Sequence, residues 1–454
     1  MRYISTRGHA PEVGFETAIL DGLAPDGGLY VPRHVMPFSA PELAACRSES
    51  LTALNARIFA HFAEGAPVEP LLAHAHDRFT HPAITPLVQI DRDRWVMELF
   101  HGPTLAFKDL AMQALAPLMG HFLARAGRHA TILGATSGDT GGAALAGFAD
   151  VPGVEALFLY PEGGVSPFQA AQMQALSRPG LRAVPVRGSF DDCQRIVKSI
   201  LAGAKAPAPP GLTAVNSVNW GRILAQSAYY ARAALLLGSP DRPVHFVVPT
   251  GNFGNLYAGL LAKRLGFAVG QLVVATNAND SLHRIIENGT AARATVARTL
   301  SPAMDIRVPS NLERLIFDLA GDAGAAQVRT LYTADSLTLP PAIHQHLRAL
   351  LRSESVSDAQ TLARIRETEA RAGYVPDPHT AVGLEIACRV ELPPGEVVTL
   401  ATAHPVKFAE TVTQALGAFP AHLKMHAKEA VSAPPAIPPD EAQVRALLAD
   451  AALV

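Results

Sequence analysis

Short runs of apolar residues alternate along this chain with longer stretches whose apolar residues recur at helical spacing. The runs predicted to be strands are Thr131–Ala135, Ala156–Tyr160, Ala183–Arg187, His245–Val248, Leu272–Ala275 and Val397–Ala401. The stretches predicted to be helices are Leu110–Arg125, Asp191–Leu201, Ile223–Leu236 and Asn255–Leu265. Strands without polar alternation are typical of parallel sheets that helices cover on both faces. The pattern therefore predicts a parallel α/β fold, and its recurrence in two blocks favours two α/β domains.

The length of 454 residues is sufficient for two or three domains. The first part of the chain has no strand–helix alternation, although Leu43–Phe62 is compatible with a helix. The proline-rich segment Lys205–Gly211 is predicted to be a loop that joins the two α/β blocks, because proline fixes φ and removes a donor. We predict an N-terminal domain over 1–84, a smaller α/β domain over 85–212 and a larger α/β domain over 213–454.

The composition excludes several classes of protein. Hydrophobic residues make up 49% and charged residues 17%, and the formal net charge of −2 does not favour a nucleic-acid partner. No run approaches the roughly 18 apolar residues needed to cross a membrane. Cys46, Cys193 and Cys388 indicate neither a disulfide framework nor a metal motif. No secretory signal is evident at Met1, so we expect a cytoplasmic protein. The sequence leaves its assembly open between a monomer and a homodimer.

The loop Glu98–Asp109 reads Glu-Leu-Phe-His-Gly-Pro-Thr-Leu-Ala-Phe-Lys-Asp and places Lys108 at the start of a predicted helix. The positive end of a helix dipole and partial burial both lower the pKa of a lysine. Such a lysine is a better nucleophile toward a carbonyl cofactor. Taken alone, the tripeptide Phe-Lys-Asp is most often a solvated helix start with an acidic first turn, so the interpretation depends on three other loops.

Two glycine-rich loops follow predicted strands. Gly134–Gly142 combines hydroxyls and backbone N–H groups at a helix start, which is a favourable place for an anion. The Gly-Lys-Ser/Thr ending of a P-loop is missing, so a carboxylate or phosphate is the predicted ligand, with a plain turn as the alternative. Pro249–Asn255 has Gly251 and Gly254, which allow close approach of a phosphate to the backbone.

The fourth loop is Ala401–Lys407, after the last predicted strand. Ligands of α/β folds bind beyond the carboxyl ends of strands, so the hydroxyl of Thr402 is expected in the same crevice. A helix N-cap is the alternative role for this residue. His101, His379 and His404 do not have the spacing of metal ligands, so we expect no metal site.

Together these loops resemble those of the threonine synthases of the longer type found in many bacteria and in fungi. The likeness continues, in order, through Tyr3–Gly8, Gly22–Pro32, Tyr160–Pro167, Gln169–Met173, Asn216–Arg222 and Asp377–Gly383. The resemblance covers nearly the whole chain. It implies a fold-type-II pyridoxal phosphate enzyme, similar in outline to tryptophan synthase β, with two α/β domains of mostly parallel sheets and an N-terminal helical domain.

The resemblance also implies the residues of the site. The residues implied to contact the cofactor, pyridoxal 5′-phosphate, are Lys108, Gly251, Asn252, Phe253, Gly254, Asn255, Thr402 and Asp139. Lys108 would form a Schiff base, the glycine loop would hold the phosphate, Thr402 would meet the pyridine nitrogen, and Asp139 would contact the 3′ oxygen. The residues expected to bind the substrate are Thr136, Ser137, Gly138 and Thr140 at its carboxylate and Asn216, Ser217, Asn219 and Arg222 at its phosphate, with Ser310 and Asn311 in reserve. Arginine offers a bidentate fork for phosphate, although a helix-face position would also explain Arg222.

The implied reaction converts O-phospho-L-homoserine and water to L-threonine and phosphate, the last step of threonine biosynthesis. A lyase of this kind would use Lys108 to remove the Cα proton, after which phosphate leaves and water adds at Cβ. One alternative is a phospho-lyase that releases 2-oxobutyrate from the same substrate. Another is a non-catalytic regulatory protein on the same fold, which the presence of the lysine and the phosphate loop disfavours.

Overall fold

The computed structural model describes residues 1–203, 211–214, 217–238, 242–292, 295–333, 336–424 and 433–451. Its strands are β1 (Tyr3–Ser5), β2 (Tyr30–Pro32), β3 (Leu87–Asp91), β4 (Arg94–Glu98), β5 (Ala130–Ala135), β6 (Val154–Pro161), β7 (Leu181–Val186), β8 (Leu212–Thr213), β9 (Val244–Pro249), β10 (Val269–Thr276), β11 (Thr290–Ala292), β12 (Ser336–Thr338), β13 (Leu351–Ser355) and β14 (Val397–Ala401). Its α-helices are α1 (Phe15–Asp21), α2 (Ala40–Cys46), α3 (Leu51–Phe62), α4 (Val68–Leu72), α5 (Lys108–Ala126), α6 (Asp139–Gly147), α7 (Pro167–Leu176), α8 (Phe190–Leu201), α9 (Trp220–Leu237), α10 (Gly254–Arg264), α11 (Ser281–Asn288), α12 (Leu312–Ala320), α13 (Gly324–Thr333), α14 (Pro341–Leu350), α15 (Asp358–Ala372), α16 (Pro378–Arg389), α17 (Ala409–Leu416) and α18 (Glu441–Ala451). Short 3₁₀ turns cover Pro302–Met304, Gly321–Ala323, Pro405–Phe408 and Ala421–Leu423.

Two sheets organise the α/β part of the molecule. The larger has six strands in the order β13-β10-β9-β14-β4-β3, and only β3 runs antiparallel to its neighbour. The smaller has four parallel strands in the order β7-β6-β5-β8. The central strand β9 is buried along its whole length, as its unbroken apolar run predicts. The predicted parallel α/β architecture is confirmed.

Strand pairing places one segment differently from its position in the predicted domain scheme. The hairpin β3–β4 lies within 85–212, yet β4 pairs with β14 from Arg94 to Glu98 and so belongs to the larger sheet. The C-terminal helix α18 also crosses over, because Glu441 accepts a hydrogen bond from Ser199 on α8 at 2.7 Å. Sequence spacing does not reveal such long-range pairing. As domain limits, 1–84, 85–212 and 213–454 stay predictions.

The N-terminal region covers the helices that carry the site. The stretch Leu43–Phe62, whose sequence is compatible with a helix, contains the end of α2 and all of α3. Ser50 accepts a hydrogen bond from the Ala53 N–H at 3.2 Å and caps α3. The Tyr3 and Phe62 rings both contact the ring of Trp220, the first residue of α9. The predicted loop Lys205–Gly211 falls outside the described residues except for Gly211. No α-helix in the described ranges is both long and apolar enough to cross a membrane.

Candidate active site

A cavity lies where the N-terminal ends of α5, α6, α9 and α10 converge. It is lined by Phe107, Lys108, Thr140, Ser217, Arg222, Gln226, Pro249, Thr250, Gly251, Asn252, Phe253, Gly254, Asn255, Ala303, Met304, His379 and Thr402. Loops that are far apart in sequence meet here because β9 and β14 are parallel neighbours and end at the same edge of the sheet. The structure thus brings Lys108, the loop Gly251–Asn255, Thr402 and Arg222 to one place.

Lys108 is positioned by pairing between two loops. The Phe107 N–H donates to the Thr402 carbonyl at 2.8 Å, and the His404 N–H donates to the Leu105 carbonyl at 3.1 Å. Leu105 has a φ of 59°, a left-handed conformation that a leucine adopts only under constraint. The turn delivers Lys108 as the first residue of α5, with its side chain 12% exposed.

Asp139 lies between two lysines. Its Oδ2 is 3.1 Å from Lys108 Nζ, its Oδ1 is 3.1 Å from Lys407 Nζ, and Oδ1 also accepts from Gln169 Nε2 at 2.8 Å. Burial lowers the pKa of Lys108, and Asp139 opposes that shift. Burial alone would raise the pKa of Asp139, but the two ammonium groups hold it well below its usual range. A buried carboxylate shared by two amines therefore lies next to Lys108, although Asp139 itself does not line the cavity.

The loop after β5 is held in shape by Thr136. Its hydroxyl accepts hydrogen bonds from the N–H groups of Gly138 at 3.0 Å and Gly141 at 2.9 Å. Gly138 has a φ of +117°, and a Cβ there would lie 2.5 Å from the Gln169 side chain. Thr140 lines the cavity wall, whereas Thr136, Ser137 and Gly138 do not. Of the four predicted carboxylate ligands, Thr140 is therefore at the wall, and Thr136 and Gly138 shape its loop.

The loop Gly251–Asn255 forms a backbone cradle at the start of α10. Phe253 adopts a φ of 65°, which turns successive N–H groups toward one side. The Asn252 carbonyl accepts from Asn311 N at 3.1 Å and from Asn311 Nδ2 at 3.0 Å, so the loop is anchored from behind. A Cβ on Gly251 would lie 2.4 Å from the Ala303 carbonyl oxygen, so the cradle depends on glycine there.

The amide of Asn255 is oriented by two tyrosines. The hydroxyl of Tyr230 donates to Asn255 Oδ1 at 2.9 Å, and the hydroxyl of Tyr229 donates to the same atom. The opposite end of the amide, Nδ2, is buried and has no hydrogen-bond partner among the described residues. Since Asn255 lines the cavity, this end offers a donor to a bound group.

Arg222 is a buried cation without an acceptor in the described part of the chain. It lies in the first turn of α9 and is 3% exposed, and its Nε and Nη1 atoms have no hydrogen-bond partner there. Burial lowers the pKa of this guanidinium to about 10, so it remains charged at neutral pH. A buried charge with unsatisfied donors is costly, and a bound anion would offset that cost. The alternative role, an arginine on the solvent-exposed face of a helix, does not fit a side chain that is buried.

The other residues predicted at the substrate phosphate have mixed positions. Ser217 lines the cavity, and its hydroxyl is 3.2 Å from that of Ser310. Asn219 does not line the cavity: its Oδ1 caps α9 at the Gly221 N–H at 2.9 Å, and its Nδ2 donates to the Ile19 carbonyl at 2.8 Å. Its amide thus caps a helix, and its predicted role at the substrate phosphate stays a prediction. Asn216 lies outside the described residues.

Two further side chains at or beside the cavity, His379 and Lys407, are not among the predicted site residues. His379 lines the cavity, with Nδ1 2.7 Å from Asp377 Oδ1, while its Nε2 accepts the Ala303 N–H at 3.2 Å. Lys407 is the second lysine on Asp139. The signal for Lys407 was a charged residue inside the otherwise uncharged segment that follows β14.

The cavity fits pyridoxal phosphate, which combines an aldehyde, a phosphate and a ring nitrogen. Lys108 supplies a primary amine, Gly251–Asn255 supplies backbone donors for a phosphate, and Thr402 supplies a hydroxyl. The unpartnered donors of Arg222 and Asn255 show that the site still requires an acceptor. Within the described ranges, no group of three or more His, Cys, Asp or Glu side chains is arranged to hold a metal ion.

Family models match the chain along most of its length. A model described as pyridoxal-phosphate dependent enzyme matches residues 79–403. Models described as threonine synthase N terminus and threonine synthase, C-terminal match residues 2–76 and 380–446.

Individual proteins agree with these models. A threonine synthase from Pseudomonas aeruginosa is 45% identical, over 93% of this chain and 93% of its own. The crystal structure of a PLP-bound threonine synthase from Brucella melitensis is similar with a TM-score of 0.94 and 40% identity over 100% of both chains. The structure of threonine synthase from yeast is similar with a TM-score of 0.92 and 33% identity, over 99% of this chain and 98% of its own. The predicted fold-type-II architecture is confirmed by these likenesses.

Proposed function

The chain belongs to the threonine synthase family of pyridoxal-phosphate-dependent enzymes, and from this premise we propose that its cavity converts O-phospho-L-homoserine and water to L-threonine and phosphate. One observation carries the assignment of the site. The amine of Lys108 shares a single cavity with two separate places for an anion, the backbone cradle Gly251–Asn255 and the unpaired guanidinium of Arg222. A phosphorylated cofactor and a phosphorylated substrate together require two such places.

We assign the two phosphates by the kind of donor each place offers. The cradle Gly251–Asn255 is built of fixed backbone N–H groups at a helix start, which suits a cofactor that stays bound. Arg222 is a side-chain fork that remains charged at neutral pH, which suits the substrate phosphate that arrives and leaves. Ser217 lines the same wall and is the second proposed ligand of the substrate phosphate.

Pyridoxal phosphate, when bound, supplies an electron-withdrawing ring that stabilises negative charge on the carbons of the substrate. The protein positions groups and moves protons. Lys108 Nζ is the proposed attachment point and the base that takes the proton from the substrate Cα, because its buried setting favours a neutral amine. Thr402 is the proposed neutral hydroxyl at the ring nitrogen, and the loop with Thr140 is the proposed carboxylate site.

Product analysis tests this function. Purified protein loaded with pyridoxal phosphate is incubated with O-phospho-L-homoserine, and threonine, 2-oxobutyrate and phosphate are each quantified. We expect threonine and phosphate in equal amounts, with activity abolished in Lys108→Ala and retained in Lys198→Ala, which changes an exposed lysine on α8. Exclusive formation of 2-oxobutyrate would contradict the proposal and support the phospho-lyase alternative.

We propose the cytoplasm as the setting and a monomer or homodimer as the assembly. Cys46, Cys193 and Cys388 are free thiols, which is compatible with a reducing compartment. Light scattering of the purified protein distinguishes the two assemblies.

A further inference from the structure

Lys407 is the second buried amine beside the cavity. Its side chain is 0% exposed, and it lies in the 3₁₀ turn Pro405–Phe408 after β14. Nζ donates to the Thr104 carbonyl at 2.6 Å and to Gln172 Oε1 at 3.1 Å, and it lies 3.1 Å from Asp139 Oδ1. Of its three N–H bonds, two donate to these uncharged acceptors, and the ion pair with Asp139 adds a third polar contact. Lys407 is therefore fixed beside Asp139 by two groups other than that carboxylate.

Lys108 has no comparable set of acceptors. Its Nζ donates to Asp139 Oδ2 at 3.1 Å. Among the described residues, this is the only hydrogen bond that the ammonium group of Lys108 makes. The two lysines thus compete for one carboxylate, with one oxygen facing each amine. Of the pair, Lys108 is the amine that is held by fewer hydrogen bonds.

We propose that Lys407 is a positioning residue that acts as the counter-ion of Asp139 and so allows Lys108 to exist as a neutral amine. The proposal rests on the proposed role of Lys108 as the cofactor lysine. Condensation of an amine with an aldehyde forms a C=N bond, and the aldehyde oxygen leaves as water with the two hydrogens of the neutral amine. An ammonium has no lone pair for this step, so the charge on Lys108 governs the rate of attachment.

Other charged groups face this cluster from the surrounding elements. Arg222 on α9 adds positive charge near Lys108, and His379 on α16 lies within electrostatic reach of Asp139. Asp109 on α5 and His404 beside the turn both lie within reach of Lys407. Asp109 is held by Thr104, which donates to it through its N–H at 2.8 Å and its hydroxyl at 2.6 Å. Asp139 is the carboxylate that touches both amines.

The variant Lys407→Met tests the proposal, since methionine keeps a similar length without charge. Full-length protein is freed of cofactor, and the rate of attachment of added pyridoxal phosphate is followed by visible absorbance as a function of pH. When Asp139 is paired with Lys108 alone, the ammonium form of Lys108 is favoured, so the midpoint of the pH profile of the attachment rate should rise by about 1 pH unit or more. At a pH below the midpoint, attachment should then be about tenfold slower than in the parent protein. Lys407→Arg retains the charge and should keep the midpoint. Lys263→Met removes a lysine that donates to the Gly270 carbonyl at 2.9 Å elsewhere and is the matched control.

Two further variants separate charge from shape. Asp139→Asn should lower the midpoint, and the double variant Asp139→Asn with Lys407→Met should return it close to that of the parent protein. If Lys407 only holds Thr104 and Gln172 in place, Lys407→Met should slow attachment without moving the midpoint, and the double variant should not restore the parent rate. This outcome would overturn the proposal. If Lys407→Met does not fold, an unmoved or raised midpoint in Asp139→Asn overturns it equally.

Peptide mapping of the parent protein after borohydride reduction distinguishes failure of this inference from failure of the proposed function. If Lys108 is not modified, the proposed function fails. If Lys108 is modified but the midpoint in the variants does not move, only this inference fails.

Discussion

The Phe107 N–H donates to the Thr402 carbonyl at 2.8 Å, and this bond joins the turn that carries Lys108 to the loop that follows β14. The bridge between Ala106 and Ala403 extends the same contact. Two loops from distant parts of the chain are therefore held in register. The register brings Lys108 and Thr402 to the same cavity, which we assign to the cofactor.

Substitution of the cradle glycines should have unequal effects. Gly251→Ala places a Cβ 2.4 Å from the Ala303 carbonyl oxygen, so the backbone must shift. We expect a cost of about 1–3 kcal/mol, seen as roughly 10- to 100-fold weaker binding of pyridoxal phosphate to the cofactor-free protein.

Gly254→Ala is the matched control for that change. Its Cβ would meet Asn311 Nδ2 at 3.2 Å and the Ser217 carbonyl at 3.4 Å, contacts that small movements relieve. We expect less than about 1 kcal/mol of lost binding energy. Equal losses in the two variants, measured by titration of the cofactor-free protein, would contradict the described position of the cradle.

Removal of Arg222 should separate binding from stability. Arg222→Met takes away the guanidinium proposed to hold the substrate phosphate, so KM for O-phospho-L-homoserine should rise about 100-fold, equivalent to about 3 kcal/mol. The free energy of unfolding should not fall, because a buried cation without a partner in the described structure is replaced by an apolar side chain. Arg232→Met, on the same helix, loses a hydrogen bond of 3.0 Å to the Glu49 carbonyl and should leave KM unchanged. An unchanged KM in Arg222→Met would exclude the assignment.

Stability should fall on acidification partly through His76. Burial lowers the pKa of His76 to about 4 from its usual 6.5, so the unfolded chain binds a proton in this interval and the folded chain does not. The stabilisation is present above pH 6.5 and is lost as the pH falls toward 4, by up to about 1.4 kcal/mol per pH unit. His76→Gln should flatten the decrease in the urea midpoint between pH 7 and pH 4.5. His34→Gln, at an exposed position, is the control, and parallel slopes for parent and His76→Gln would refute the prediction.

The sequence was informative where a local pattern determines local structure. The apolar runs at His245–Val248 and Val397–Ala401 predicted the two strands from which the site is built. The glycine spacing in Pro249–Asn255 predicted a backbone cradle, and Lys108 was expected at the start of its helix. These features depend on residues that are neighbours along the chain.

Features that depend on long-range contacts were not predictable in the same way. The hairpin β3–β4 joins the larger sheet through β14, which a scan of neighbouring residues does not reveal. Asn219 belongs to a segment with the composition of a binding loop, yet its amide caps a helix and contacts Ile19. The role of Lys407 follows from the proximity of Asp139, and no spacing within Ala401–Lys407 indicates that carboxylate.

Peptide mapping after borohydride reduction of the cofactor-loaded protein tests the central claim most directly. Lys108 and Lys407 are both largely buried and both contact Asp139, so the measurement distinguishes between two neighbouring amines as the attachment point of the cofactor. We predict that the reduced cofactor adds to Lys108 and that Lys407 remains unmodified. Recovery of the added mass on Lys407, or on a lysine outside the cavity, would contradict the account.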